Sequence, residues 1–231
     1  MSLSLLDHFH PPLSERRHWH SFHNAWATYL SSDLNQRLPE GWFAEANVQF
    51  GIEIDVAAFE EGDEPARSAP PCTPGSPTSI VPFAAATDVV EVLVYSREGG
   101  PTVVGAIELV SPANKDRAAH RRAFVSKCES YLCAGIGLLV VDVVTSRKKD
   151  LHRLLLRRVA KGAGPRPARE LYAVSYRPVE REGAPSLEMW EEALTLGAPL
   201  PEMPLWLKGW TCVATDLGAT YERTCREQRL A

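Results

Sequence analysis

From Ile136 to Val144 the chain is apolar except at Gly137 and Asp142. A half-exposed strand would alternate polar and apolar side chains, so an unbroken run of this length reads as a central strand covered on both faces. It is far too short for the roughly 20 apolar residues that cross a bilayer, and no other run reaches that length. The rest of the sequence must therefore supply a sheet around this strand and helices on both sides of it.

The helical material is visible as spacing. Trp19, Phe22, Trp26, Leu30 and Leu34 recur at helical intervals between Ser14 and Leu38, with Ser14 placed to cap and the Pro39 to Gly41 stretch placed to stop the helix. Further helices are expected from about Asp116 to Cys133, from Leu151 to Val159 and from about Asp216 to Arg229.

Strands are expected where the period drops to two. Trp42, Ala44, Ala46, Val48 and Phe50 alternate with mainly polar neighbours, and a second alternation runs through Ile52, Ile54, Val56 and Ala58, giving an antiparallel pair. Asp88 to Tyr95 and Thr102 to Val110 flank a turn-like segment from Arg97 to Pro101, a second hairpin candidate. Leu171 to Tyr176 suggests another strand, and a proline-rich stretch around Pro199 to Pro204 precedes the final helix. Glu60 to Pro82, rich in Pro, Ser, Gly and acids, reads as a long exposed loop. The expected fold class is α/β, a mixed central β-sheet flanked by helices, in one domain over residues 1–231 with a long loop near 60–82.

With 45% hydrophobic and 23% charged residues among 231, the chain can bury a core of this kind. Its net charge of -4 excludes a generally basic protein that coats nucleic acid, while leaving room for a local positive surface. The five cysteines are odd in number and scattered, which argues against a disulfide framework or a zinc knuckle. Met1 to Pro11 lacks the basic-then-apolar order of a signal peptide, so a cytoplasmic location is expected.

Two acids sit inside apolar strands. Alternation places Asp55 on the face opposite Ile54 and Val56, and Glu108 on the face opposite Ile107 and Leu109. A buried carboxylate is expensive alone, whereas two converging on a divalent cation gain charge neutralisation and oxygen coordination, for which Mg2+ is the best match and Mn2+ the substitute. Such a cation can polarise a phosphodiester and orient water. Lys127, at helical spacing from Phe124 and Tyr131, could present an ammonium to the developing charge. Acids within strands also face solvent or pair with bases, and lysines beside aromatics also snorkel, so the trio points to chemistry only jointly.

Glu91 is a further metal candidate in another apolar strand, and Asp142 is expected to be a buried, hydrogen-bonded structural aspartate. Glu129 is expected to face solvent. His18, His20 and His23 lack a complete ligand set for zinc and read as packing or capping residues, and Ser111 and Asn114 read as turn and cap residues. Arg147, Lys148, Lys149, Arg153, Arg157, Arg158 and Lys161 form a positive segment that could touch a phosphate backbone of DNA or RNA. A solvated helix face is the commoner origin of such a segment.

The stretch from Ile107 through Glu108, Ser111 and Pro112 to Lys115 closely resembles a signature of the bacterial family named domain of unknown function 4058. Phe22 to Trp26, Ile52 to Phe59, Lys127 to Tyr131 and Pro201 to Leu207 match it as well, so the likeness covers nearly the whole chain. That family is in turn similar to the Uma-type proteins read as nucleases of the PD-(D/E)XK superfamily. The resemblance implies a restriction-endonuclease-like fold, a site of Asp55, Glu108 and Lys127, and metal-dependent hydrolysis of nucleic-acid phosphodiesters. The superfamily usually carries lysine two positions after the glutamate, where this chain has Val110. Lys127 is then the candidate for a lysine migrated to the next helix, with Lys115 as the weaker substitute. The competing expectation is a noncatalytic interaction protein on the same scaffold.

Overall fold

The computed structural model describes residues 3–39, 42–49, 53–60, 73–82, 102–160, 169–208 and 212–230, with the side chains of 47–49, 53–60 and 82 outside that description. The expected first helix is divided: a single turn, α1 (Leu13–Arg16), ends at the extended residue Arg17, and α2 (Trp19–Leu34) begins after His18. Leu13–Arg16 buries no residue, so nothing holds those residues in line with the helix that follows. Ser14 lies inside the first turn rather than capping α2. The periodic stripe holds, with Phe22, Trp26, Leu30 and Leu34 all buried.

Among the described residues, seven strands form one sheet: β1 (Trp42–Gln49), β2 (Glu53–Glu60), β3 (Ser79–Pro82), β4 (Thr102–Leu109), β5 (Gly137–Asp142), β6 (Tyr172–Arg181) and β7 (Ala184–Ala193). Their order is β1-β2-β4-β5-β6-β7-β3. β4 and β5 are parallel and the other neighbours antiparallel, so the sheet is mixed. A parallel pair cannot be closed by a tight turn and needs a crossover. Here α3 (Pro112–Asp116) and α4 (Ala118–Cys133) supply it, and this carries Lys127 over the sheet after Glu108 has left it. After β5 come α5 (Leu151–Val159), the β6–β7 hairpin, a separate ribbon of β8 (Glu202–Trp206) and β9 (Cys212–Asp216), and α6 (Leu217–Glu227).

The central strand is as expected: every residue of β5 is buried, between β4 and β6. Its side chains divide between two cores. Leu139 and Val141 join Ile107 and Leu109 in a core built with Trp26 and Leu30 of α2 and Tyr221 of α6. Leu138 and Val140 join Ala106 and Val110 in a core closed by Phe124 and Cys128 of α4 and Leu155 of α5. Helices thus flank both faces of a mixed sheet.

Several expectations are corrected. The loop near 60–82 does not extend to its end, because Ser79–Pro82 is strand β3, antiparallel to β7 at the sheet edge. Four residues are too few to show a period, and the strand exists through pairing: the Ser79 hydroxyl donates to Glu191 at 3.0 Å, and the Trp190 indole to the Gly75 carbonyl at 2.8 Å. The strand expected from Leu171 to Tyr176 runs from Tyr172 to Arg181 and returns as β7 through Glu182 and Gly183, whose positive φ values of 52° and 75° make a tight hairpin turn. The proline-rich stretch contains β8, whose Pro204 is accommodated because the strand pairs on one side only, with β9. The hairpin candidate of Asp88 to Tyr95 with its turn from Arg97 to Pro101 lies outside the described residues apart from its second strand, β4.

Candidate functional site

Glu108 has the parity of Ala106 and Val110, so it lies on the α4 side of β4, opposite Ile107 and Leu109 as the alternation required. It is 1% exposed. Lys127 descends from α4 to meet it, with Nζ 2.6 Å from Oε2, while the Lys127 side chain remains 18% exposed. The Tyr131 hydroxyl points at the other carboxylate oxygen from 3.5 Å, the outer limit of a hydrogen bond, and the Phe124 ring lies 5.8 Å from the ammonium. Phe124, Lys127 and Tyr131 follow one another at spacings of three and four residues, which is why one helix face delivers a cation, a hydroxyl and an apolar wall together.

Asp55 belongs to β2, and its side chain is outside the described set. Its strand position is defined by the antiparallel register, which pairs Val56 with Ile107; Asp55 precedes Val56 and Glu108 follows Ile107, so the two acids occupy adjoining positions on neighbouring strands. Glu91 lies outside the described residues. The two lysine candidates go to different acids. Lys115 does not reach Glu108: it is 1% exposed, and its Nζ stands 2.6 Å from Oδ2 of Asp142, itself 0% exposed.

Asp142 is the buried structural aspartate expected. Its Oδ1 accepts the Val144 amide at 3.1 Å. Burial pushes its carboxyl up to about 6, against the opposing pull of Lys115 and of the hydrogen bond from the Val144 amide. Glu129 is not the solvent-facing acid expected, since α5 packs beside α4 and brings Arg158 onto it.

One contributor was legible only as a packing residue. His23 of α2 donates from Nε2 to the Leu109 carbonyl at 3.0 Å, fastening the strand end next to Glu108 from the opposite face of the sheet. Its helical spacing announced a core-facing residue, but nothing local named a strand carbonyl as its partner. His18 only precedes α2, and His20 contacts Asn24, so the three histidines do not converge. Among the described residues, no group of three or more His, Cys, Asp or Glu side chains is arranged to hold a metal ion. No helix among them is long and apolar enough to cross a membrane. Comparison with family models, curated proteins and solved structures finds no match to this chain.

Proposed function

We propose that the chain is a metal-dependent nuclease of restriction-endonuclease-like fold, hydrolysing nucleic-acid phosphodiesters at Glu108, Lys127 and Asp55. The observation that carries this reading is the Lys127–Glu108 contact at 2.6 Å, joined by chain crossover from separate elements. Asp55 would be the second oxygen donor, next to Glu108 in the strand register. Hard carboxylate oxygens from adjacent strands suit Mg2+, or Mn2+, in kind; such a cation supplies Lewis acidity toward a phosphoryl oxygen. Glu91 is retained as a further ligand candidate.

The chain's own residues have distinct tasks in this reading. Glu108 and Asp55 would hold the cation, Lys127 places a positive charge where charge develops on the phosphate, and Tyr131 keeps the Glu108 carboxylate oriented. The surroundings favour an anionic substrate. Residues 112–160 carry eleven lysines and arginines against four acids, a local +7 in a chain of net charge -4. They include α4 and α5, which cover the same sheet face as Glu108. Arg122, Lys149 and Arg157 are exposed and form no ion pair among the described residues. Such a surface attracts phosphate backbones through counterion release.

The test is a cleavage panel of single- and double-stranded DNA and RNA with Mg2+, Mn2+ or chelator. Metal-dependent products that fall by about 100-fold or more in Glu108→Gln and Lys127→Met are expected, the size of loss typical of a single electrostatic catalytic group. Absence of product on every substrate rejects the reading. A second reading, a noncatalytic binding scaffold, is favoured by one feature: Glu108 is already neutralised by Lys127, and Val110 stands where the superfamily carries its lysine. Binding of a nucleic acid or protein with no heat of Mg2+ binding by calorimetry would select it.

A further inference from the structure

We propose that the buried Lys115–Asp142 pair is a positioning element that sets where α4 delivers Lys127 to Glu108. The inference rests on Glu108 and Lys127 forming the working pair of the proposed site. Between them the chain leaves β4, turns at Ser111, forms α3 and enters α4. The turn is locked locally: the Ser111 amide and hydroxyl both donate to the Asn114 side-chain oxygen, at 2.8 and 2.9 Å. The α3–α4 joint is fastened by Arg121, which donates to the carbonyls of Lys115 and Asp116 at 3.0 and 2.9 Å. These contacts make α3 and α4 move together, but they do not fix that unit on the sheet.

Lys115 does so. Its ammonium leaves α3 inward to Asp142 at 2.6 Å and also points to the Val144 carbonyl at 3.4 Å. Asp142 closes β5 on the face shared by Leu138 and Val140, the face to which Glu108 also turns. There its neighbour in the strand register is Tyr172 of β6, whose hydroxyl accepts the His152 amide of α5 at 3.0 Å. The pair therefore ties the crossover to the end of β5, beside the point where β6 meets α5.

Energetics favour a positional role over a stabilising one. Removing two charges from water costs several kcal/mol per ion, and well-packed apolar residues of similar volume often serve stability as well or better. An apolar plug, however, tolerates sliding, whereas an ammonium buried against one carboxylate accepts a single location. A displacement of about 1 Å at a catalytic group can cost about 100-fold in rate.

The experiment replaces the pair by apolar residues in the full chain, Lys115→Met with Asp142→Leu, and follows the 15N resonance of the Lys127 ammonium. That resonance is observable while the ammonium is held on Glu108; Glu108→Gln gives its position without the charged partner. Expected are a thermal midpoint equal to or above that of the original chain, a Lys127 resonance shifted toward the Glu108→Gln position, and at least a tenfold loss of any metal-dependent cleavage. Tyr172→Phe, which removes the hydroxyl joining the strand partner of Asp142 to α5, is a milder variant and should shift the same resonance in the same direction. An unmoved resonance in the folded paired variant overturns the proposal, and if that variant does not fold, an unmoved resonance in Tyr172→Phe does so. Failure of the nuclease reading is seen separately, as absence of cleavage by the original chain, and leaves the resonance test intact.

Discussion

At Glu108 the balance between desolvation and pairing decides the outcome of substitution. The carboxylate is 1% exposed and its countercharge is Lys127. Lys127→Met removes the ammonium paired with a buried carboxylate, and about 3 kcal/mol of stability should be lost in urea unfolding. Adding Glu108→Gln should return most of that loss, because the remaining amide carries no charge. If the double variant is instead as unstable as the sum of the singles, the contact at 2.6 Å is not an energetic pair. Each residue of this pair could be read locally, since a period of two places Glu108 on one strand face and a period near 3.6 places Lys127 with Phe124 and Tyr131. The choice between Lys127 and Lys115 could not. Lys115 is spoken for by Asp142, a partner 27 residues further along the chain, and no spacing within the Ser111 to Lys115 segment announces it.

Elements meet at positions where a single atom matters. The start of β5 lies against β8 so closely that a Cβ on Gly137 would stand 1.9 Å from the Trp206 carbonyl oxygen. Backbone cannot yield as a flexible side chain can, so Gly137→Ala should cost about 3 kcal/mol by overpacking. A thermal midpoint equal to that of the original chain would show that the two strands separate freely. The start of α5 is a milder case. Asp150 accepts the Arg153 amide at 2.8 Å and the Arg169 amide at 3.0 Å, so Asp150→Ala should lose about 1 kcal/mol in chemical denaturation. The range of α5 was readable because its apolar stripe, its cap and its end are all local. β8 was not, because its few residues include Pro204 and its strand character comes from β9.

Over the whole molecule, the chain's two ends are joined around a buried histidine. His8 is 2.6 Å from the Tyr221 hydroxyl of α6, and the same hydroxyl accepts the Leu6 amide at 3.0 Å. Burial lowers His8 from 6.5 to about 4, with Asp7 pulling weakly the other way. Between those values the unfolded chain binds a proton that the folded chain refuses. The contribution is therefore complete above 6.5 and is lost as pH falls through about 4, a span worth roughly 3 kcal/mol. Asp142 acts with opposite sign, since its raised carboxyl favours the folded state at low pH and that benefit is lost as pH rises through about 6. The stability difference between the original chain and His8→Gln isolates the histidine. It should shrink from pH 7 to pH 4 in urea unfolding, and a difference independent of pH would refute the assignment. By itself the sequence determined the longer helices, the strands β1, β2, β4 and β5 and which of their faces are apolar, because those properties are carried by neighbours within a few residues. Only the tertiary structure decided that β4 and β5 run parallel, that β3 and β8 are strands at all, and that Lys127 rather than Lys115 meets Glu108. Such pairings join residues distant along the chain, and their energies depend on burial and geometry that leave no periodic trace.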